Sequence, residues 1–162
     1  MISKIEFKQL FDKYFDAIRS FVYYRCGDIE AASDITQDIF LKVWEKREQF
    51  SGSDIKSLLY KMANDMVISN YRKEQSQFNF EQSIVVEENF DASPEEILHF
   101  EELKRSYAKA LDNMPENQRT TFLMNRNDGL KYSEIAERLD LSVKAVEKRI
   151  SMALHYLKKE LL

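Results

Sequence analysis

Apolar residues recur along this chain at steps of three and four, the period of an amphipathic helix. Phe7, Leu10, Phe11, Tyr14, Ile18, Phe21 and Val22 predict a first helix from about Ile5 to Tyr24. Gly27-Asp28 reads as its stop and the next start, with Asp28 as N-cap. A second helix follows to about Arg47, with Ala32, Ile35, Ile39 and Val43 as the inner stripe and Phe40 and Trp44 to one side of it. After the loop from Phe50 to Asp54, a third helix runs from about Ile55 to Glu74, with Leu58, Leu59, Met62, Met66 and Tyr71 as its apolar positions. Residues 75–92 lose the helical period and read as a linker. Ser93-Pro94-Glu95-Glu96 then has the pattern of a helix start, with Ser as cap and Pro at the first position. That helix extends to about Asn113 and is expected to bury Ile97, Leu103, Tyr107, Ala110 and Leu111. Pro115 opens another, which stops at Asn127-Asp128-Gly129. Two more come in quick succession, Tyr132 to Leu139 and Val143 to about Glu160, separated by Asp140-Leu141 and capped by Ser142.

Composition agrees with an all-α fold. With 3 Gly and 2 Pro in 162 residues, the chain lacks the punctuation of a turn-rich β fold. The single cysteine, Cys26, permits no internal disulfide, which fits a reducing cytosol. No stretch has the length of a membrane span, and the N-terminus lacks a signal-peptide core, so a cytoplasmic protein without membrane insertion is expected. The net charge of −4 is unevenly spread. Nine acids and no Lys or Arg fall between Glu74 and Glu102; setting them aside from the 28 leaves 19 acids against 24 bases, a surplus of about five positive charges elsewhere. The linker is therefore acidic, but its Phe78, Phe80, Ile84, Val85, Val86 and Phe90 are too apolar for an inert spacer and suit docking on a partner.

The last two helices have the spacing of a helix-turn-helix. On a helical wheel of about 100° per residue with Val146 at zero, Ile150, Ala153, Leu154, Leu157 and Leu161 fall within roughly −20° to +80° and form a core stripe. Lys144, Ala145 and Lys148 lie on the far side and Arg149 on a flank. From Leu141 onward there are five bases and two acids. Spacing alone leaves a DNA-reading helix and an ordinary solvated helix equally open.

Two segments decide between them. Ala32-Ser33-Asp34-Ile35-Thr36-Gln37-Asp38-Ile39-Phe40, continuing to Trp44, resembles the A-x-D-x-x-Q-[DE]-x-F-x-x-x-W helix of the extracytoplasmic-function (ECF) class of bacterial RNA polymerase sigma factors. Met114-Pro115 with Arg119, then Gly129 with Glu134-Ile135-Ala136, then Ser142 with Val146, is similar to that family's promoter-binding C-terminal domain. The resemblance implies two small helical domains, 1–74 and 93–162, joined by the acidic linker 75–92, the second carrying the helix-turn-helix. It implies a sigma factor that binds core RNA polymerase and directs promoter recognition and transcription initiation.

The implied contacts divide by segment. Asp34, Gln37, Asp38, Phe40 and Trp44 would meet the clamp helices of the polymerase β′ subunit, with the β subunit as a further contact, and Phe40 and Trp44 are expected to form an exposed aromatic pair. Ser142, Lys144, Ala145, Lys148 and Arg149 would read the minus-thirty-five element as duplex. Lys61, Asn64, Asp65, Asn70, Arg72 and Lys73 would hold the separated minus-ten strand, a task for cations and amides. Here the chain departs from the family, which often has Arg-Asn where Asn64-Asp65 stand, and Lys131 replaces the usual Ser or Thr cap. An anti-sigma partner is implied by the family alone. His99, His155 and Cys26 are too scattered to suggest a metal site, and no catalytic arrangement or cofactor motif is present, so no enzyme is expected. Two other classes remain in view: a free-standing helix-turn-helix regulator, and a pure interaction module that antagonises polymerase.

Overall fold

The computed structural model describes residues 1–50, 54–71, 79–84 and 91–162. Among these the regular structure is helical: α1 (Lys4–Cys26), α2 (Ile29–Glu45), α3 (Ile55–Tyr71), α4 (Pro94–Asn113), α5 (Glu116–Arg126), α6 (Tyr132–Leu139) and α7 (Val143–Leu161), with 3-10 turns at Arg47–Gln49 and Glu81–Ser83.

Local chemistry sets most of the boundaries. Ser3 and Ser93 each open a helix with a reciprocal capping box, to Glu6 and Glu96 respectively. Gly27 ends α1 in the left-handed region (φ 70°), where a residue without Cβ is unstrained, and Asp28 Oδ1 then accepts from the amides of Glu30 and Ala31 to start α2. Asp140 takes the same left-handed conformation (φ 55°) after α6, and the Ser142 hydroxyl accepts from the Ala145 amide at 3.1 Å to start α7. At the start of α6, Lys131 offers no side-chain cap; the Glu134 carboxylate accepts its backbone N–H instead.

The helices form two clusters. In the first, α1 packs on α2 and α3 around Ile18, Val22, Ala32, Ile39, Val43, Leu59 and Ala63. In the second, α7 packs on α4, α5 and α6 around Leu111, Leu123, Ile135, Val146, Ile150 and Ala153. The clusters also pack on one another, α1 against α5 and α3 against α6, so the buried apolar residues are continuous across both.

Four expectations about burial need correction. Phe40 does not join Trp44 on the surface. It is 2% exposed, with the rings of Phe7, Phe11 and Phe15 at 5.2 to 6.4 Å around it. Ile97 and Leu103 are half exposed (52% and 50%), because α4 carries its apolar stripe beyond the helices that cover Tyr107 and Leu111. Leu154, at the edge of the α7 stripe, is 53% exposed. Phe80 docks within the chain: it is fully buried, stacked on Tyr23 with centroids 5.7 Å apart. Its neighbours fasten the same stretch. Asn79 donates its amide to the Gly27 carbonyl at 2.7 Å and accepts from the Tyr23 hydroxyl at 2.7 Å. The other linker residues named above, except Ile84, lie outside the described residues.

Candidate nucleic-acid and polymerase interfaces

The capped start of α2 and its buried stripe fix which side of that helix faces out. Ala32, Ile35, Thr36, Ile39, Phe40 and Val43 face in, leaving Asp34, Gln37 and Asp38 exposed together on the other side. Trp44 is half-buried, its ring 5.0 Å from Phe7 and covered by the Arg47 guanidinium at 4.2 Å. The polar part of the expected polymerase contact thus forms one exposed face, with Trp44 at its edge and Phe40 beneath it.

On α7 the buried stripe turns Lys144 and Lys148 to solvent. The Ser142 hydroxyl is engaged as a cap, and Ala145 is half-buried. Arg149 points elsewhere: with Arg25, Asn64, Asn117, Thr120 and Leu141 it lines a cavity of about 160 Å³ between the clusters.

On α3, Leu59, Tyr60, Ala63 and Val67 are buried, while Lys61, Asn64 and Asp65 are exposed. These three line a second cavity, of about 620 Å³, whose walls include Phe21 and Tyr60 from the first cluster and Glu137, Arg138 and Asp140 from the second. Asn70 lies on α3, and Arg72 and Lys73 lie outside the described residues.

Polar contacts tie the two clusters together around these cavities. The Arg25 guanidinium donates to the Glu116 carboxylate and to the Asn64 amide oxygen. Lys56 pairs with Glu137 at 3.0 Å, and Arg138 donates to the Tyr60 hydroxyl at 3.0 Å. The Tyr24 hydroxyl donates to Asp128 at 2.6 Å; burial first, and that carboxylate second, push the Tyr24 phenol far above its ordinary range. Burial also raises the Asp128 carboxyl, against the lowering effect of Tyr24 and Arg138. At the centre is Arg119, 2% exposed. It donates to the carbonyls of Tyr24 (2.7 Å) and Arg25 (2.8 Å) in one cluster and of Leu111 and Met114 (both 3.3 Å) in the other. Its guanidinium carbon also stands 4.4 Å from the centroid of the Phe80 ring.

Sequence reasoning placed Arg119 only as a letter of a motif and gave no signal for Arg25. The contact between Arg25 and Asn64 joins residues 39 apart in sequence, and nothing local announces it. It stands a guanidinium beside the position where the resembled pattern often has its Arg.

Comparison with known proteins assigns both clusters. Sigma-70 region 2 matches residues 10–77, and Sigma-70, region 4 matches residues 104–157. The chain is 26% identical over 155 residues to the ferric citrate uptake sigma factor FecI of Escherichia coli (strain K12), covering 95% of this chain and 90% of that one. It is 24% identical to the ECF RNA polymerase sigma factor SigW of Bacillus subtilis (strain 168), covering 96% and 88%. It is 29% identical to the ECF RNA polymerase sigma-E factor of Escherichia coli (strain K12), covering 91% and 82%. Two solved structures share the fold. CnrH, in complex with the cytosolic domain of CnrY, superposes with a TM-score of 0.64 at 20% identity, over 97% of this chain and 88% of CnrH. RpoE of Bartonella quintana, in complex with the anti-sigma factor NepR, superposes at 0.62 and 22% identity, over 96% of each chain.

Regions 2 and 4 in this order define the class, the promoter-recognition subunits of bacterial RNA polymerase. Within it, the chain belongs to the ECF sigma factor family. It directs RNA polymerase to promoters and is not itself an enzyme. This removes the free-standing regulator and the antagonist module from consideration. No helix among the described residues is long and apolar enough to cross a membrane.

Proposed function

We propose that the two clusters, with the domain bounds 1–74 and 93–162 expected from sequence, divide promoter recognition between them. The first meets core polymerase through Asp34, Gln37 and Asp38 on α2, with Trp44 at the edge of that contact, and Phe40 supports the face from below. Carboxylates around an amide suit a rim of charge-complementary contacts, and a half-buried Trp supplies the apolar anchor. Through α3 the same cluster holds the separated minus-ten strand. Lys61 serves phosphate there, Asn64, Asp65 and Asn70 serve base edges, and Arg72 and Lys73 add positive charge.

The second cluster reads the minus-thirty-five duplex with α6 and α7 acting as a helix-turn-helix. Lys144 and Lys148 contact phosphates or guanine edges from the outward face, Ser142 and Ala145 approach the backbone at the start of the helix, and Arg149 completes the set from its flank. The observation that supports this reading best is the sidedness of α7: its apolar stripe is buried, which leaves Lys144 and Lys148 as outward cations one turn apart.

An anti-sigma factor is part of the proposal, because both superposed structures are complexes with another protein, and the partner of the sigma factor RpoE is named as the anti-sigma factor NepR. The setting is the cytoplasm, where core polymerase and promoter DNA are found.

The test of duplex reading is Lys148→Gln, assayed as holoenzyme on promoter DNA across a salt series. A lost phosphate contact weakens binding and lowers the slope of log affinity against log salt by about one. An unchanged slope and affinity would remove Lys148 from the interface.

A further inference from the structure

The face of the first cluster that carries Lys61 and Asn64 looks across two cavities to the second cluster, and three of the groups opposite it are carboxylates. Facing Arg25, Lys56 and Lys61 across the junction are Glu116, Glu137 and Asp140. Two of these make direct ion pairs: Glu116 with Arg25, and Glu137 with Lys56 at 3.0 Å. Two arginines of the second cluster also stand at the junction: Arg138, which donates to the Tyr60 hydroxyl and lies over the Tyr60 ring, and Arg149, which lines the cavity that Arg25 and Asn64 share.

Arg25 is the most enclosed of the three cations. Its side chain is 12% exposed, its guanidinium carbon lies 5.9 Å from the centroid of the Phe21 ring, and one of its nitrogens is bonded to Asn64. Cation, amide and aromatic ring are the groups a single-stranded nucleic acid needs, for phosphate, base edge and base face respectively. All of them belong to α1 and α3. The group that completes the guanidinium's coordination, the Glu116 carboxylate, comes from the first residue of α5 in the other cluster. A carboxylate offers a guanidinium the same anionic oxygen geometry as a phosphate.

We propose that Arg25 is a further member of the single-strand contact set, and that Glu116 and Glu137 occupy Arg25 and Lys56 in place of phosphates while the two clusters are together. The chain thereby occupies part of its own strand-binding face, and strand capture through Arg25 and Lys56 requires α5 and α6 to leave α1 and α3. This rests on the reading of α3 as the strand-holding helix.

The test uses the full chain, its folding checked by circular dichroism, and a fluorescein-labelled single-stranded DNA of mixed sequence, with binding followed by anisotropy across a salt series. Arg25→Gln should weaken binding and lower the salt slope by about 0.7, the value of one single-strand phosphate contact, and Arg25→Lys should restore the slope. Glu116→Gln should tighten binding about three- to fivefold, the scale of one partly exposed ion pair. In the Arg25→Gln/Glu116→Gln double variant that gain should vanish, because its only route is through Arg25. A salt slope unchanged by Arg25→Gln, or a Glu116→Gln gain that persists without Arg25, overturns the proposal. Lys61→Gln separates the two levels: if it weakens binding and Arg25→Gln does not, the proposal alone fails; if neither does, the reading of α3 fails with it.

Discussion

Arg119 is a fully desolvated cation whose described hydrogen-bond acceptors are all backbone carbonyls. Two of them belong to the last turn of α1, where carbonyls have no partner within the helix and the helix dipole is negative. Arg119 therefore satisfies the end of one helix from the body of another cluster. Its planar fork reaches acceptors in both clusters at once, which an ammonium on a single stem cannot do. Arg119→Lys should destabilise the fold by about 1–3 kcal/mol, since at least one of the buried carbonyl groups loses its donor. Urea denaturation measures this. A loss below about 0.5 kcal/mol, the range of a surface substitution, would contradict the assigned role.

At the scale of the element, burial rather than helix formation separates the residues that matter. Ile97 and Leu103 share the periodicity of Leu111, but only Leu111 is covered. Leu111→Ala should cost about 2–5 kcal/mol through the cavity it leaves, while Ile97→Asp should change stability by no more than about 0.5 kcal/mol. Thermal melting of the two variants side by side decides the point, and equal losses would mean that the start of α4 is packed after all.

The same contrast shows what the sequence could and could not disclose. Helix ends were legible because they are decided by neighbours in the chain: Gly27 and Asp28 at the first junction, Ser93 with Glu96 at the start of α4, and Asp140 and Ser142 around the last turn. The α2 stripe was legible for the same reason. What a stripe meets in space is not encoded in its period. Phe40 was expected on the surface because the stripe beside it already filled the inner side, whereas Phe7, Phe11 and Phe15 from α1 enclose it. Leu154 was expected in the core because the wheel cannot show how far the covering helices extend. The Arg25 contacts with Asn64 and Glu116 span 39 and 91 residues of sequence, and only the packing of α1 on both clusters reveals them.

At the scale of the whole molecule, the uneven charge acquires a physical meaning. The net charge of −4 belongs largely to the segment before and within α4, while α1, α3 and α7 present cations to the junction or to solvent. Bringing the clusters together sets carboxylates of one against cations of the other. In this arrangement Arg149 of α7 and Asn64 of α3, expected to contact different promoter elements, line a single cavity of about 160 Å³. On the proposed function a promoter presents those elements apart, as duplex and as separated strand, and binding both then requires the two clusters to part. The hydrogen bonds described for Arg25 and Arg119 go to elements other than α2, so on the proposed function polymerase can engage the polar face of α2 without disturbing them.

On the proposed function, this chain confers promoter selection on core polymerase through that face of α2. Run-off transcription with purified core on a library of genomic fragments tests it most directly, comparing the native chain with an Asp34→Ala/Asp38→Ala variant shown to melt at the same temperature. Discrete transcripts are expected only when core and the native chain are both present, with at least about a tenfold loss for the variant, the scale of a polar interface hot spot. Transcripts from the variant at the native level would contradict the assignment of α2 as the polymerase contact. Absence of any promoter-directed transcript with the native chain would contradict the account of the molecule as a whole.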